Sequence, residues 1–245
     1  MNSSLKDQVV LVTGASSGIG RATALALSRA GAKVVAAGRR LEQLNALVEE
    51  ASGEMIAVEL DVTRAEAVNL AVAEAVTHFG RLDALVNNAG VMLAGMILDA
   101  DTEQWVRMVE TNLLGSMFAI HAALPHLIES RGAIVQVSST SGRIASAGSG
   151  AYAATKFGIS AFAESLRQEV TTLGVRVIVV EPGFVDTELT THITDPVMRE
   201  AAASIGDSMR TLQPQDIAEV VVFALDQPEH VAVNEILVRP TDQVR

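Results

Sequence analysis

Apolar and polar positions alternate along this chain between two textures. Val9-Val10-Leu11-Val12 is an unbroken apolar run closed by Thr13-Gly14, as expected of a strand buried on both faces. Residues Gly20 to Ala30 then carry apolar side chains at helical spacing and stop at Gly31, a residue suited to a helix C-cap. Strand texture returns from Lys33 to Ala37, and helix texture from Leu41 to Ala51. Further strands are predicted at Met55 to Leu60, Ala84 to Asn87, Ile134 to Val137 and Val175 to Val180, with helical stretches between them. A last one, Asn234 to Val238, is bounded by Pro240. Strand, helix and strand repeated in this way need crossover connections. The pattern therefore predicts one α/β domain over residues 1–245, a doubly wound parallel sheet with helices on both faces. Neither a linker, a low-complexity segment nor a 20–50-residue repeat divides it. Residues 186 to 212 differ in character, being polar and rich in Thr, Met and Ala, and are expected to form a mobile flap over a site.

Composition narrows the partners. With 49% hydrophobic and 19% charged residues in 245, the chain can build a large core and is not of the disordered class. Its net charge of −11 argues against a nucleic-acid binder, which needs a basic stripe. An aromatic content of 3% leaves few stacking platforms for single strands. The absence of cysteine excludes disulfides, thiolate metal sites and cysteine nucleophiles. No apolar stretch reaches the roughly 18–20 residues of a membrane span, and MNSSLKDQ lacks the apolar core of a signal peptide. No membrane partner is expected, and the expected compartment is the cytoplasm. His121 and His126 are five residues apart on a helical stretch, a poor spacing for a shared metal face, so no metal site is expected.

Thr13-Gly14-Ala15-Ser16-Ser17-Gly18-Ile19-Gly20 lies directly between the first strand and the first helix. There the backbone must turn tightly and offer N–H groups to phosphate at a helix N-terminus, and glycine removes the Cβ that would obstruct both. The glycines are spaced more widely than the G-x-G-x-x-G dinucleotide pattern, and an ordinary Gly/Ser turn is the bland alternative. Placement after a buried strand favours phosphate binding by Gly14, Ser16, Ser17, Gly18, Ile19 and Gly20. About twenty residues on, a dinucleotide fold places an acid against the ribose 2′-hydroxyl. Here the second strand ends in Gly38-Arg39-Arg40 instead. Guanidinium groups suit a 2′-phosphate, which predicts NADP(H) over NAD(H). Arg39, nearer the strand end, is the expected contact, and Arg40 stands beside it at a helix start. Asp61, followed by Val62, ends the third strand; it either accepts from an adenine amino group or closes a plain turn.

Ala151-Tyr152-Ala153-Ala154-Thr155-Lys156 places the only tyrosine four residues before one of three lysines, on one face of a helix. Taken alone, such a pair is a common accident of helix surfaces. Its setting gives it meaning: Ser138-Ser139 ends another strand at the same carboxyl edge as the glycine loop, where open α/β sheets bind ligands. A phenol titrates near about 10, and bringing it to about 7 takes roughly 4 kcal/mol of differential stabilisation. The ammonium, with the positive ring of an oxidised nicotinamide, is expected to supply it.

These residues together resemble the short-chain dehydrogenase/reductase family. The resemblance rests on Thr13–Gly20, Asn87-Asn88-Ala89-Gly90, Asn112, Ser139, Tyr152, Lys156 and Pro182-Gly183, in the family's order and with thirteen positions from Ser139 to Tyr152. It spans nearly the whole chain and implies a Rossmann fold. Within the family the chain looks most like the clavulanic acid dehydrogenase type, through Gly38–Glu42, Gly90–Gly95, Glu181–Thr194 and Glu235–Gln243. The resemblance implies that Tyr152 exchanges a proton with the substrate oxygen, Ser139 hydrogen-bonds that oxygen, and Lys156 holds the nicotinamide ribose and depresses the Tyr152 pKa. Asn112 is similar to an asparagine that supports a water-linked proton path behind that lysine. Asn88, Ala89 and Gly90 would pack beside the cofactor, with Pro182, Gly183 and Thr187 bordering the nicotinamide. It also implies a homo-oligomer, a tetramer ahead of a dimer. Small and apolar residues beyond one face of the tyrosine helix (Ala153, Ala154, Phe157, Gly158, Ala161, Phe162) call for a second burial partner as well. One departure is Arg239-Pro240-Thr241, which stands where many tetrameric members carry a paired glycine.

His192 in the flap is either a substrate contact or simply exposed. Met92, Leu93, Phe184 and Met198 could line an apolar pocket or fill core. Arg143 could attract an acidic substrate or form a surface ion pair. The expected function is NADPH-dependent reduction of an aldehyde or ketone of a small metabolite to the alcohol, reversibly. The alternatives are a non-catalytic NADP(H)-sensing module and an NAD-linked alcohol dehydrogenase.

Overall fold

The structure, a computed structural model, describes residues 5–244. The apolar runs form seven strands: β1 (Val9–Thr13), β2 (Lys33–Gly38), β3 (Met55–Glu59), β4 (Ala84–Asn87), β5 (Ala133–Val137), β6 (Arg176–Pro182) and β7 (Glu235–Val238). All pair in parallel, in the order β3-β2-β1-β4-β5-β6-β7. The chain winds outward from β1 through β2 to β3, then crosses back to β4 and winds the other way. This is the Rossmann arrangement, with its switch point between β1 and β4, where such sheets bind ligands beyond the strand ends.

The helices are α1 (Gly18–Arg29), α2 (Leu41–Glu50), α3 (Ala65–Phe79), α4 (Thr102–Met108), α5 (Gly115–Ser130), α6 (Gly150–Val170), α7 (Pro196–Asp207) and α8 (Pro214–Leu225). They cover both faces, and the pleat decides which side each strand residue serves. Val9 and Leu11 join the core under α3, α5 and α6, whereas Val10 and Val12 join the core under α1, α2 and α8. β1, β4 and β5 are consequently buried at every position. Among the described residues, no helix is long and apolar enough to cross a membrane.

One boundary shifts and one segment gains detail. Helix α1 begins at Gly18, two residues before the apolar spacing suggests, so the glycine loop already contains its first turn. The segment 186–212 is not a plain loop. It holds a 3-10 turn (Glu188–His192) and then α7, which Asp195 caps by accepting from Met198 N–H at 2.9 Å, with Pro196 at the first helical position. α7 lies on the surface, half-buried along the stripe Met198, Ala202 and Gly206.

Candidate active site

The loop after β1 is pressed against the end of β4. A Cβ on Gly14 (φ +67°) would lie 2.9 Å from Ala89 Cα, and one on Gly20 would lie 2.3 Å from the Gly14 carbonyl oxygen. Side chains cannot be accommodated at either place. The Thr13 hydroxyl ties the two strand ends together: it accepts from the N–H groups of Asn88 (3.0 Å) and Ala89 (3.1 Å) and reaches Asn87 Oδ1 at 3.4 Å. Asn88 Nδ2 donates to the Thr13 carbonyl at 3.0 Å. The start of α1 therefore faces a cavity of about 300 Å³ at the carboxyl edge of the sheet. No acidic residue stands in the first turn of α1, and the Ser17 side chain makes no capping hydrogen bond there, so the positive end of the helix dipole is uncompensated.

Every residue expected to act on the cofactor or in catalysis lines this cavity except Gly20 and Asn112. Gly20 sits behind the loop, as its contacts show. Arg39 and Arg40 stand at one end. Arg40 Nε donates to Ser16 Oγ at 3.2 Å, and its Nη1 pairs with Glu188 of the flap at 3.1 Å. Arg39 forms no ion pair among the described residues. Asp61 closes a local turn, accepting from Thr63 N–H (3.0 Å) and Thr63 hydroxyl (2.8 Å) on Oδ1. Burial pushes its carboxyl up, but those two bonds together with Arg39 and Arg64 hold it below the usual range. Val62 stands against Gly115, where a Cβ would meet Val62 Cγ2 at 2.8 Å. Thr187 lies over Gly18, its hydroxyl accepting from Leu189 N–H at 3.3 Å.

At the other end, Ser139, Tyr152 and Lys156 converge. Ser139 ends the β5 exit, and its Oγ accepts from Ser141 N–H at 3.0 Å. Tyr152 and Lys156 lie one turn apart on α6, both buried, with the Lys156 Nζ 5.7 Å from the ring centroid. Lys156 Nζ donates to the Val137 carbonyl at 3.0 Å. Tyr152 packs among Val91, Leu93 and Met108. Burial pushes its hydroxyl up to about 12, and the Ser139 hydrogen bond recovers only part of that. Burial also drives Lys156 down to about 8. The expected lowering counted on a bound oxidised nicotinamide as well as on the amine. The amine does not overcome desolvation of the phenol, so the protein's own groups leave Tyr152 protonated at neutral pH.

Asn112 stands outside the cavity, in a π-helical turn (Val109–Leu114) joining α4 to α5. Its Oδ1 accepts from Val91 N–H at 2.8 Å, and its Nδ2 donates to the Val91 carbonyl at 2.8 Å and to Thr155 Oγ1 at 3.2 Å. Arg143 is ion-paired with buried Glu181 and with Glu235. His192 is exposed at the cavity mouth; partial burial, then Arg107, Arg39 and Arg40, lower its pKa. The expected apolar pocket is dispersed. Leu93 lines a second cavity of about 200 Å³ between α4 and the flap, Met92 packs beside Tyr152, Phe184 lies against Gly206 and Met198 against Gly148. Sequence reasoning missed Glu188, whose partner Arg40 is 148 positions away, and Thr111 and Leu189, which also line the main cavity. No local signal marks them.

Comparisons with known proteins agree with this geometry. A family model described as short chain dehydrogenase matches residues 8–197. The chain is 36% identical over 243 residues to an uncharacterized oxidoreductase of Staphylococcus saprophyticus, covering 98% of each chain. It is 40% identical over 238 residues to one of Staphylococcus aureus strain MW2, covering 96% of this chain and 98% of that one. Among solved structures it is similar to the closed form of a serine dehydrogenase complexed with NADP+ (TM-score 0.91, 32% identity, 97% of each chain). It is also similar to an alcohol dehydrogenase of the archaeon Thermococcus sibiricus complexed with 5-hydroxy-NADP (TM-score 0.86, 28% identity, 98% and 99%).

Proposed function

The chain belongs to the short-chain dehydrogenase family, and from that premise we propose that it is an NADPH-dependent reductase converting an aldehyde or ketone of a small metabolite to the alcohol, reversibly. One observation carries the reading: Ser139, Tyr152 and Lys156 face the same cavity as the glycine loop and the two arginines. The serine and alcohol dehydrogenases named above support chemistry at a carbinol or carbonyl and an NADP-type cofactor. The segments around Arg39, Val91, Phe184 and Leu237 carry the finer reading, a relative of the clavulanic acid dehydrogenase type.

The cavity suits a dinucleotide. Its floor at Gly14 and Gly18 is bare backbone, and the uncompensated start of α1, with Ser16, Ser17 and Ile19 around it, suits a pyrophosphate. Arg39 and Arg40 suit a 2′-phosphate. Asp61, Val62, Asn88, Ala89 and Gly90 would flank the adenosine half, and Pro182, Gly183 and Thr187 the nicotinamide. When bound, the cofactor supplies the hydride. The chain's own residues manage orientation and the proton. Tyr152 gives its hydroxyl proton to the substrate oxygen in reduction and takes it back in oxidation. The Ser139 oxygen is fixed by Ser141 N–H, and its one hydrogen, given to the Tyr152 oxygen in the free site, would turn to the substrate oxygen. Lys156 uses one N–H on Val137 and keeps two for a ribose. Asn112 braces this arrangement from behind. Residues 1–245 act as one cytoplasmic domain, and α6, with Phe157 44% exposed, is the expected contact in a homo-oligomer. Light scattering showing only a monomer would remove that contact.

The test is NADPH consumption with a panel of aldehydes and ketones. Tyr152→Phe is expected to abolish turnover while dinucleotide binding survives; a variant retaining most of its activity means the acid lies elsewhere.

A further inference from the structure

The terminal stretch that departs from many tetrameric members folds back under the exit of β6. Gln243 Oε1 accepts the N–H of Phe184 at 2.9 Å. The same oxygen lies 2.2 Å from the place a Cβ would take on Gly183, so residue 183 must be glycine for Gln243 to reach its partner. Gly183 N–H donates in turn to the Val238 carbonyl at 2.7 Å. Gly183 and Val185 line the main cavity, whereas Phe184 between them does not. Gln243 thus grips the lining segment from behind, through the one residue that faces away.

Its neighbour Asp242 holds the other leg of the flap. The carboxylate accepts from Arg210 N–H at 3.2 Å and from the Arg210 guanidinium at 3.0 and 3.1 Å. Two residues later the return leg meets the outgoing one: Leu212 N–H donates to the Phe184 carbonyl at 3.1 Å, and Asp186 N–H to the Leu212 carbonyl at 2.8 Å. Adjacent side chains of the tail therefore bind both legs at the base of the flap.

We propose that Gln243 is a positioning residue, setting the Gly183–Val185 wall against which the nicotinamide half of the dinucleotide lies, with Asp242 locking the flap's return leg to the same tail. The proposal rests on the dinucleotide reading above. Gln243→Leu removes the acceptor and leaves Phe184 N–H without its partner; Gln243→Glu keeps an acceptor oxygen in place. Binding of NADP+ and of 2′-phospho-ADP-ribose, which lacks the nicotinamide, is measured by calorimetry on the full chain. The leucine variant is expected to bind NADP+ about tenfold more weakly and 2′-phospho-ADP-ribose unchanged, with most of the loss restored in the glutamate variant. Unchanged NADP+ affinity in Gln243→Leu overturns the proposal, as does equal weakening of both ligands, which would mark a general loss of structure. Wild-type protein that binds neither ligand removes the dinucleotide reading itself and the proposal with it.

Discussion

Lys156 is 5% exposed, and burial drives its pKa from 10.5 to about 8. The folded chain therefore holds its proton less tightly than the unfolded one. Between about pH 8 and 10.5 the unfolded state binds more protons, so this group's contribution makes stability rise with pH in that window. Below it, the fold carries the cost of an ammonium taken out of water, about 3 kcal/mol at pH 7, falling to about 2 at pH 9 and below about 1 at pH 10. Lys156→Met keeps the length of the side chain and removes the titration. It also loses the bond to the Val137 carbonyl, worth about 1 kcal/mol at any pH. The variant should thus be more stable than wild type by about 2 kcal/mol at pH 7 and no more stable near pH 10. Urea unfolding of both proteins at equal concentration, without dinucleotide, from pH 7 to 10 reads the difference directly. A stability gap that stays constant across that range would refute the reasoning, because it would mean that Lys156 titrates alike in both states.

Gly20→Ala places a Cβ 2.3 Å from the Gly14 oxygen and 2.5 Å from Asn88 Nδ2, and should weaken NADPH binding on the order of 10- to 100-fold in a fluorescence titration; near-native affinity would show that the loop does not need this close packing. Arg39→Ala should weaken NADPH about 10- to 100-fold and NADH little, and equal losses for both count against the 2′-phosphate role. Asn112→Asp sets an oxygen against the Val91 carbonyl and Thr155 Oγ1 where two N–H donors stood, and should cost about 2–3 kcal/mol in urea unfolding. A stable Asn112→Asp protein would dismiss the bracing role.

The strands were legible because a parallel sheet covered on both faces writes its residues as unbroken apolar runs, and Val9–Val12 and Ala84–Asn87 do so. Boundaries were less so. The apolar spacing of α1 is silent on Gly18 and Ile19, which enter the helix through the turn geometry of the loop. In the flap, α7 starts at Asp195-Pro196, a cap and first-turn pair set amid polar neighbours. The site residues were recognisable from type and spacing. Their electrostatics were not, because the amine four positions from Tyr152 is visible in the sequence whereas the shell of Val91, Leu93 and Met108 that dries the phenol is assembled from distant segments. Contacts such as Arg40 with Glu188 and Phe184 with Gln243 arise only once the sheet is closed.

The bonding around Asn112 constrains the water-linked proton path that the family resemblance implies behind Lys156. A side-chain amide offers two donors, and both are committed, one to Val91 and one to Thr155, whose own hydroxyl donates to the Tyr152 carbonyl at 2.7 Å. The side chain therefore ties the loop after β4 to the turn of α6 that carries the phenol, and a relay past Asn112 has to use its backbone carbonyl or the remaining lone pair of Oδ1. The titration of the pair adds a direction. With Tyr152 held near 12 and Lys156 near 8, the protein's own field at neutral pH maintains a protonated phenol beside an ammonium. That is the starting state for giving a proton to a carbonyl oxygen. Taking one from an alcohol requires the phenolate, which this field disfavours; under the proposed function a bound oxidised nicotinamide would supply the further stabilisation, and oxidation is expected to gain as pH rises.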